Sequence, residues 1–336
     1  MSKKLLELYR SIDKNVEVIY VFPDIKRSSE YNPYLKLFYN DFLLKSKKKS
    51  PIQCLSPHPL FPIFILKKIF REKSIVHYHW FEFSDIRGFL VLIWKLSLIL
   101  IFKLFNGHIV WTVHNKYLHS KKYLQCNMFL RKIMAKIAAR LHVHCKEAIP
   151  VMAPILNVQE DKFFVVEHPF YPVLIIDCHK ARNRLQSILF PLINRKKPIF
   201  LMYGNIGKYK GLIDVIPLIS DETGQLIIAG KCKKGEEKYL EEIENVIEGK
   251  RNIYLLNRFI DKSEEQLLFN ASDCVLFNFQ DILSSGSVML ALSYKKRIIL
   301  PESICFNSLS DPGILKFNSK DELKNHISTV ARKIKQ

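Results

Sequence analysis

The feature that most constrains the fold is a regular alternation of short, β-rich apolar runs with longer segments of helical periodicity, which continues through the 336 residues. Parallel sheets covered by helices on both faces have this pattern, because each strand is buried on both sides and each crossover needs a helix. The expected strands lie at residues 16–22, 74–79, 108–114, 141–145, 163–168, 198–203, 225–229, 252–256, 274–279 and 297–300. The expected helices between them lie at residues 33–47, 62–72, 85–106, 121–140, 212–219, 236–248, 263–271 and 286–294. The pattern predicts an α/β protein with doubly wound sheets.

The chain is long enough for two such domains. Four prolines around one basic helix between residues 168 and 198 mark a connection. We therefore expect an N-terminal Rossmann-like domain at residues 1–170, a linker at 171–197 and a second Rossmann-like domain at 198–319. A last helix at residues 320–336 is expected to pack back on the first domain. The two domains should face a central cleft.

The charge is strongly basic, with 52 Lys and Arg against 32 Asp and Glu and a formal net charge of +20. Nucleic acid, an anionic membrane face and phosphate-rich substrates are the partner classes that fit such a charge. The chain has no zinc-finger spacing, no RNP-like aromatic strand and no Gly-rich basic tail, so nucleic acid is not expected as a partner. The first residues lack the apolar core of a signal peptide, which favours a cytoplasmic location.

Residues 89–105, FLVLIWKLSLILIFKLF, are apolar except for Lys95, Ser97 and Lys103. A spanning helix needs about 20 apolar residues, so this segment is short for one. A helix buried between a sheet and a second layer explains the all-round apolarity. A helix lying with one face in a bilayer, its lysines reaching phosphate headgroups, explains it equally and agrees with the basic, apolar stretch at residues 61–73. Peripheral attachment is therefore expected, and a true span is not.

Two loops of the second half have the composition of phosphate-binding loops. The first, YGNIGKYKG, follows a strand and carries Gly204, Gly207, Gly211, Lys208 and Lys210. Glycines let backbone N–H groups approach phosphate oxygens, and lysine supplies charge. The second is an SSGS run at residues 284–287 that opens an apolar helix, where capping alone or anion binding could be its role. Two such loops in one parallel-sheet domain favour a diphosphate site.

Polar side chains of the first half gather where two strands end. The first group is His77, His79, Glu82 and Asp85, and the second is His114, Asn115 and His119. Ligands of open α/β sheets bind at the carboxyl ends of strands, so these side chains are candidates for a second part of the site. Packing alone explains His77. A metal site from His79, Glu82, His114 and His119 is conceivable, but the spacing matches no known ligand pattern and no metal is expected.

In this order, HWFE, WTVHN with a following His, YGNIGKYKG and SSGSVMLALS resemble motifs of bacterial glycosyltransferases that build exopolysaccharide and O-antigen units. The usual forms there are HWPE, WTxHN-x-x-PH, FGxIRxYKG and TSGSxxLAL. The early YNPYLKLFYNDF and the later EHPFY are also similar to elements of that family. The likeness covers nearly the whole chain and implies a GT-B fold, with the acceptor bound by the first domain and the nucleotide-sugar by the second.

The resemblance also assigns roles. It implies a hexosyltransferase-type activity that moves a sugar from a nucleoside-diphosphate sugar to a lipid-linked oligosaccharide in exopolysaccharide, capsule or O-antigen synthesis. The enzyme would sit on the anionic inner face of the membrane and need no metal or cofactor. Glu82 would be the general base, with Asp85 as an alternative, and His114 would lie beside the transferred sugar. Donor contacts would come from Gly204, Lys208, Lys210, Gly211, Asp281, Ser284, Ser285, Gly286 and Ser287, and acceptor contacts from Tyr31, Asn32, His79, Trp80, Asn115 and His119.

The chain departs from the family pattern at three positions. Phe81 replaces the proline of HWPE, Ser284 replaces a threonine, and Gly207 stands where the family often has an arginine. The lost arginine removes one forked donor contact, and Lys208 could replace only its charge. A non-catalytic, membrane-associated scaffold of the same fold is therefore the alternative function.

Overall fold

The computed structural model describes residues 2–29, 32–45, 53–56, 65–67, 72–117, 123–279, 282–307, 309 and 311–335. The chain divides into two compact units, Met1–Pro169 and Phe170–Gln336. In the described residues, each unit contains a six-stranded sheet in which every neighbouring pair is parallel. The predicted α/β class is therefore confirmed.

The sheet of the first unit has the order β2-β1-β3-β4-β5-β6. Its strands are β1 Val18–Phe22, β2 Gln53–Leu55, β3 Ser74–Tyr78, β4 His108–Thr112, β5 Arg140–Val143 and β6 Phe163–Val165. The short edge strand β2 was not predicted, because three residues that include an exposed Gln53 make no apolar run. The chain reverses its direction of growth between β1 and β3, so the carboxyl ends of these strands mark the expected binding edge.

The helices of the first unit are Ser2–Arg10, Ile25–Ser29, Tyr34–Phe38, Asn40–Lys45, Ile86–Leu104, Leu124–Ile137 and Ala148–Leu156. The helix expected at residues 33–47 is divided at Tyr39, whose ring is buried in the core. The helix expected at residues 62–72 falls mostly outside the described residues. Ser2–Arg10 and Ala148–Leu156 were not predicted, the second because its prolines argued against a helix.

Helix Ile86–Leu104 is divided lengthwise between core and solvent. Leu92, Ile99 and Phe102 are buried on one side, whereas the opposite side exposes large apolar side chains. One face is therefore buried as the first interpretation requires, and contact of the other face with a bilayer stays a prediction. Within the described ranges, no helix combines the length and apolarity needed to cross a bilayer.

The sheet of the second unit has the order β12-β11-β10-β7-β8-β9. Its strands are β7 Ile199–Tyr203, β8 Gln225–Ala229, β9 Ile253–Leu256, β10 Cys274–Leu276, β11 Arg297–Pro301 and β12 Ile314–Phe317. Alternate residues of each strand enter the cores on opposite faces, as Phe200 and Leu201 of β7 do. The order reverses between β7 and β10, which places the expected binding edge beside the loops that follow these two strands.

The helices of the second unit are Cys178–Ile188, Leu212–Val215, Glu237–Ile247, Lys262–Ala271, Gly286–Ser293 and Lys320–Lys335. Two boundary expectations need correction. The stretch expected as a linker belongs to this unit, because Ala181 and Leu185 are fully buried in its core. The last helix belongs to the second unit, where its apolar stripe, which includes Leu323 and Ile327, packs in the core beside β11 and β12.

Candidate functional site

Three residues assigned to donor binding meet at the end of β7. Gly204 has φ +99°, in the region that favours glycine, and a Cβ placed on it would lie 2.9 Å from Lys210 Nζ and 3.1 Å from Ser287 Oγ. The glycine-rich loop after β7 and the start of helix Gly286–Ser293 therefore share one small space. Its walls are an ammonium group, a hydroxyl and backbone without side chain, which is the chemistry of an anion site.

The position of Gly204 depends on Gly230, which follows β8. The Gly204 N–H donates to the Ala229 carbonyl at 2.9 Å, continuing the pairing of the two strands. Gly230 has φ +151°, and a Cβ on it would lie 2.2 Å from the Gly204 carbonyl oxygen. Only glycine therefore lets the two backbones approach this closely. Sequence reasoning missed Gly230, although a glycine at the end of a predicted strand was the available signal.

Lys210 is buried with 5% of its surface exposed. Its Nζ donates to the Tyr203 carbonyl at 2.5 Å, which aims the amine at the end of β7. Burial lowers its pKa to about 7. A phosphate group beside the amine would favour the charged form, so Lys210 can gain a proton when an anion binds.

Gly211 and Asn278 join the loops on the two sides of the strand-order reversal. The Asn278 side chain, which follows β10, donates from Nδ2 to the Gly211 carbonyl at 2.9 Å. Gly211 has φ +56°, and a Cβ on it would lie 2.5 Å from that same Nδ2. Asn278 was not among the predicted residues, because nothing in the sequence pattern distinguishes it from an ordinary strand-end asparagine.

The SSGS run begins helix Gly286–Ser293 as expected. Ser285 is its N-cap, and its side chain accepts the Val288 N–H at 3.4 Å. Ser284, Gly286 and Ser287 are partly exposed. The positive end of the helix dipole thus lies where Ser287 meets Gly204.

The remaining donor candidates differ in position. Lys208 is exposed, and its backbone N–H donates to the Glu236 carboxylate at 3.3 Å. A Cβ on Gly207 would lie 3.3 Å from the Tyr209 ring, so an arginine here would press on that ring. Asp281 lies outside the described residues.

In the first unit, six histidines cluster around the ends of β3 to β6. Three of them, His77, His79 and His114, were predicted as site residues or strand-end residues. The other three, His142, His144 and His168, were missed. The missed pair His142 and His144 alternates on a strand that was predicted, so the signal was present as HVH.

Hydrogen bonds fix the proton positions of His142 and His77 in this histidine cluster. His142 Nε2 lies 2.8 Å from the Val166 carbonyl and must donate to it, which leaves Nδ1 to accept from Thr112 at 2.8 Å. The Thr112 oxygen then accepts from His77 Nε2 at 2.8 Å. For a neutral ring, His77 Nδ1 is therefore an acceptor, and the hydroxyls of Tyr9 and Tyr39 both lie in reach of it, at 2.7 and 2.6 Å.

The chain of bonds continues to His114. The Tyr39 oxygen also lies 2.8 Å from His79 Nε2, so the two rings share this hydroxyl. On the other side of the His79 ring, Nδ1 lies 3.4 Å from His114 Nε2. The Trp80 ring stacks on His114 at 4.9 Å between centroids, which fixes the plane of the imidazole.

Burial keeps this cluster neutral. It lowers the pKa of His77 to about 3 and of His168 to about 4. The pKa values of His79, His114, His142 and His144 are also lowered by burial and by their positive neighbours. All six act as hydrogen-bonding groups rather than charges near neutral pH.

The histidine cluster predicts acid-sensitive folding of the first unit. The pKa values of these histidines in the folded unit lie below the value near 6.5 of the unfolded chain. The free energy of unfolding is therefore highest above about pH 6.5 and decreases as the pH falls below it. Each imidazole that stays neutral in the folded unit lowers the free energy of unfolding by about 1.4 kcal/mol between pH 7.5 and 5.5. The three tryptophans, Trp80, Trp94 and Trp111, all lie in the first unit, so their fluorescence during urea unfolding measures this loss. The exposed His179→Gln is the control, and an equal midpoint at both pH values would contradict the expectation.

Two polar residues one turn apart on helix Leu124–Ile137 hold the loops after β3 and β4. Asn127 accepts the Phe83 N–H at 3.1 Å and donates to the Phe83 carbonyl at 3.0 Å. Arg131 donates to the carbonyls of Asn115 at 2.5 Å and Lys116 at 3.0 Å. Both side chains are buried. Neither was predicted, since a buried arginine in a helical pattern reads as surface.

The remaining acceptor-side candidates differ in what their side chains contact. Glu82 is partly exposed, and its charge offsets part of the lowering that burial imposes on the pKa of Arg131. Asp85 instead caps helix Ile86–Leu104 by accepting the Gly88 N–H at 2.7 Å. Asn32 accepts the Tyr34 N–H at 3.0 Å at the start of a helix. Tyr31 and His119 lie outside the described residues.

Within the described residues, no three His, Cys, Asp or Glu side chains are grouped so as to hold a metal ion. The suggested metal set of His79, Glu82, His114 and His119 includes one residue that is not described.

Several solved structures are similar to this chain over most of its length. The Anabaena protein HepE in complex with UDP and glucose is 13% identical, with 96% of this chain and 93% of that chain covered and a TM-score of 0.64. A glycosyltransferase from Rickettsia africae is 16% identical, with 96% and 91% covered and a TM-score of 0.58. A sucrose-phosphate synthase from Thermosynechococcus elongatus is 14% identical, with 86% and 75% covered and a TM-score of 0.58.

The chain has the GT-B fold. The two parallel sheets and the similarity to glycosyltransferase structures confirm the fold class that the motif order implied. No protein-family model and no curated protein matches the chain. The candidate anion site of the second unit lies at the carboxyl ends of its central strands, where open α/β sheets bind ligands.

Proposed function

We propose that this GT-B chain is a glycosyltransferase that uses a nucleoside-diphosphate sugar. The convergence of Gly204, Lys210 Nζ and Ser287 Oγ at the start of helix Gly286–Ser293 carries this proposal. A diphosphate needs positive potential and backbone without side chains, and this space offers both. HepE, which shares the fold, has been crystallised with UDP and with UDP-glucose, in agreement with the same donor class.

In the proposed reaction, an acceptor hydroxyl loses its proton to a base and attacks the anomeric carbon of the donor sugar. The bond from that carbon to the diphosphate oxygen breaks as the glycosidic bond forms. Negative charge develops on the departing diphosphate, and Lys210 and the helix start stabilise it. The amine and the helix start supply this stabilisation from the protein itself, so the proposal needs no metal and no cofactor besides the donor.

We assign the base to Glu82 and the acceptor contacts to Trp80 and Asn115 of the first unit. His79 is left out because its ring is buried and both of its nitrogens have hydrogen-bond partners. Glu82 is partly exposed and lies on the loop that Asn127 holds. Asp85 and Asn32 are left out of the proposal because helix and turn hydrogen bonds account for their side chains. Trp80 offers an aromatic face, which suits the apolar side of a sugar ring.

The acceptor in this proposal is a lipid-linked oligosaccharide of a cell-surface polysaccharide, such as an exopolysaccharide, capsule or O-antigen. Such an acceptor carries a pyrophosphate and lies at the inner face of a membrane. The formal net charge of +20 and the exposed apolar face of helix Ile86–Leu104 support a cytoplasmic protein attached to that face.

Glu82→Gln tests the assignment. With a lipid extract and a panel of nucleotide-sugars, the wild type should release nucleoside diphosphate from one donor. The variant should lose kcat about 100-fold or more, as expected for removal of a general base, while calorimetry shows unchanged binding of the nucleoside diphosphate. The exposed Glu160→Gln is the matched control.

Three other results of this experiment would each change the proposal in a different way. Wild-type kcat in Glu82→Gln would remove Glu82 as the base. A wild type that binds no nucleoside diphosphate would end the glycosyltransferase proposal. Binding of the nucleotide without transfer to any acceptor would favour the non-catalytic scaffold.

A further inference from the structure

Helix Ile86–Leu104 presents a continuous apolar stripe to solvent. Its exposed fractions reach 68% at Ile86, 62% at Leu90 and 84% at Leu104. The exposed members are Ile86, Leu90, Val91, Ile93, Trp94, Leu100, Ile101 and Leu104, followed by Phe105. Their spacing of three, four and seven residues places most of them on one face, about 27 Å long. A contiguous patch of this kind, unlike single exposed residues, marks an interaction surface.

A basic groove lies at the carboxyl end of this helix. Lys103, in its last turn, donates to the Ile137 carbonyl at 2.9 Å, and Lys162 donates to the Lys136 carbonyl at 2.7 Å. Beside them is a shallow depression of about 410 Å³ whose charged lining is Lys136, Arg140, Lys162 and one acid, Asp161. After burial, the charges of Lys103 and Arg140 are the next causes that lower the pKa of Lys162, so the amines and the guanidinium share one positive field.

The amino end of the helix follows the loop that carries Glu82, the proposed base. Asp85 is its N-cap, and Glu82 precedes the first helical residue by only four positions. The apolar face thus runs from the loop that carries the proposed base to the basic groove. One surface could therefore place the first unit on a membrane and keep the base close to it.

We propose that the apolar face of helix Ile86–Leu104 lies at the headgroup–acyl boundary of an anionic bilayer, and that the groove at Lys136, Arg140 and Lys162 binds lipid phosphate groups. Protein interfaces are depleted in lysine at their centres, whereas surface-lying membrane helices combine an apolar stripe with lysine and arginine. The charge is also complementary to anionic lipid and unfavourable for a second copy of this basic chain. The proposal refines the membrane attachment of the proposed function, but its test does not depend on glycosyl transfer.

Vesicle sedimentation tests the apolar face. The full chain should bind vesicles of phosphatidylcholine and phosphatidylglycerol. Brominated lipid in these vesicles should quench the fluorescence of Trp94, and this quenching should be absent in Trp94→Phe. Leu90→Gln with Trp94→Gln should weaken partitioning by about tenfold or more, because two large apolar side chains are lost from the interface. Ile188→Gln with Leu192→Gln, equally exposed in the second unit, should leave binding unchanged.

A second pair of variants tests the groove. Lys136→Glu with Arg140→Gln should remove the preference for phosphatidylglycerol over pure phosphatidylcholine, whereas the exposed Lys250→Glu with Arg251→Gln should not. Because phosphatidylglycerol is part of a bilayer, addition of free phosphate at equal ionic strength should not compete.

The results that overturn this inference differ from those that overturn the enzyme assignment. Equal vesicle binding by wild type and Leu90→Gln with Trp94→Gln would remove the apolar face from the contact. Dimerisation in light scattering that this double variant abolishes would assign the face to a second copy. In either case, unchanged nucleoside-diphosphate binding would leave the proposed glycosyltransferase function standing.

Discussion

Replacing Lys210 by Ala is expected to lower kcat/KM for the nucleotide-sugar about 100-fold or more, as for loss of a charge that stabilises a developing anion. The amine is buried, with 5% exposure, so no water shell screens it from a phosphate. Because a Cβ on Gly204 would contact both Lys210 Nζ and Ser287 Oγ, we expect these groups to act on the same bound anion. Steady-state kinetics with the donor varied measure the loss.

Lys296→Ala is the matched control for this prediction. Lys296 is also partly buried and donates to the carbonyls of Asn270 and Ser272, each at 3.0 Å, but it lies at the opposite, amino end of the strands. Its removal should cost stability and leave donor use intact. Turnover of Lys210→Ala close to wild type would contradict the site.

Calorimetry gives a second measurement on Lys210. At pH 8 the free amine is mostly neutral, because burial lowers its pKa to about 7. A bound diphosphate raises that pKa, so nucleotide binding should take up a proton. Binding enthalpies in buffers of different ionisation enthalpy count this proton, and in Lys210→Ala the uptake should vanish.

Gly230→Ala is expected to destabilise the second unit by about 3 kcal/mol or more, or to displace the loop that carries Gly204. The added Cβ would lie 2.2 Å from a backbone oxygen, and φ +151° is strained for any residue with a side chain. Backbone cannot rotate away as a side chain can. Thermal unfolding and nucleotide affinity together distinguish the two outcomes.

Gly249→Ala separates the cost of a positive φ from the cost of a steric contact with the added Cβ. Gly249 also has positive φ, at +73°, but a Cβ added to it would meet no atom within 4 Å. This variant should therefore cost only about 1 kcal/mol. Equal stability losses in Gly230→Ala and Gly249→Ala would show that the contact with Gly204 has no energetic weight.

Most strands were predictable because each is a run of apolar residues whose alternation with helices admits few folds. The edge strands β2 and β12 were not predicted, because they are short and largely not buried. The donor site was predictable in part, since Gly204, Lys210 and Ser287 stand in motifs whose residue types are those of anion sites. Their convergence was not, because it depends on the strand order that brings β7 beside β10. Asn278 and Gly230 are site residues only through that same order.

The other omissions have separate physical causes. His142 and His144 read as strand residues, and only the fold shows that they bond to Thr112 of β4 and to Val166 after β6. Asp85 looked like an acid at a strand end, but a helix begins directly after it and uses its carboxylate. The linker was misplaced because Ala181 and Leu185 form too short an apolar pattern to indicate a core contact.

The helix that carries Asn127 and Arg131 has a consequence for protein engineering. Each side chain forms hydrogen bonds with the backbone of a different loop. The loops after β3 and β4 are therefore positioned by one helix rather than by their own sequences. Exchanging these loops between related GT-B chains should displace the loop backbone unless helix Leu124–Ile137 is transferred with them. Conversely, libraries can vary loop side chains while Asn127 and Arg131 preserve the backbone.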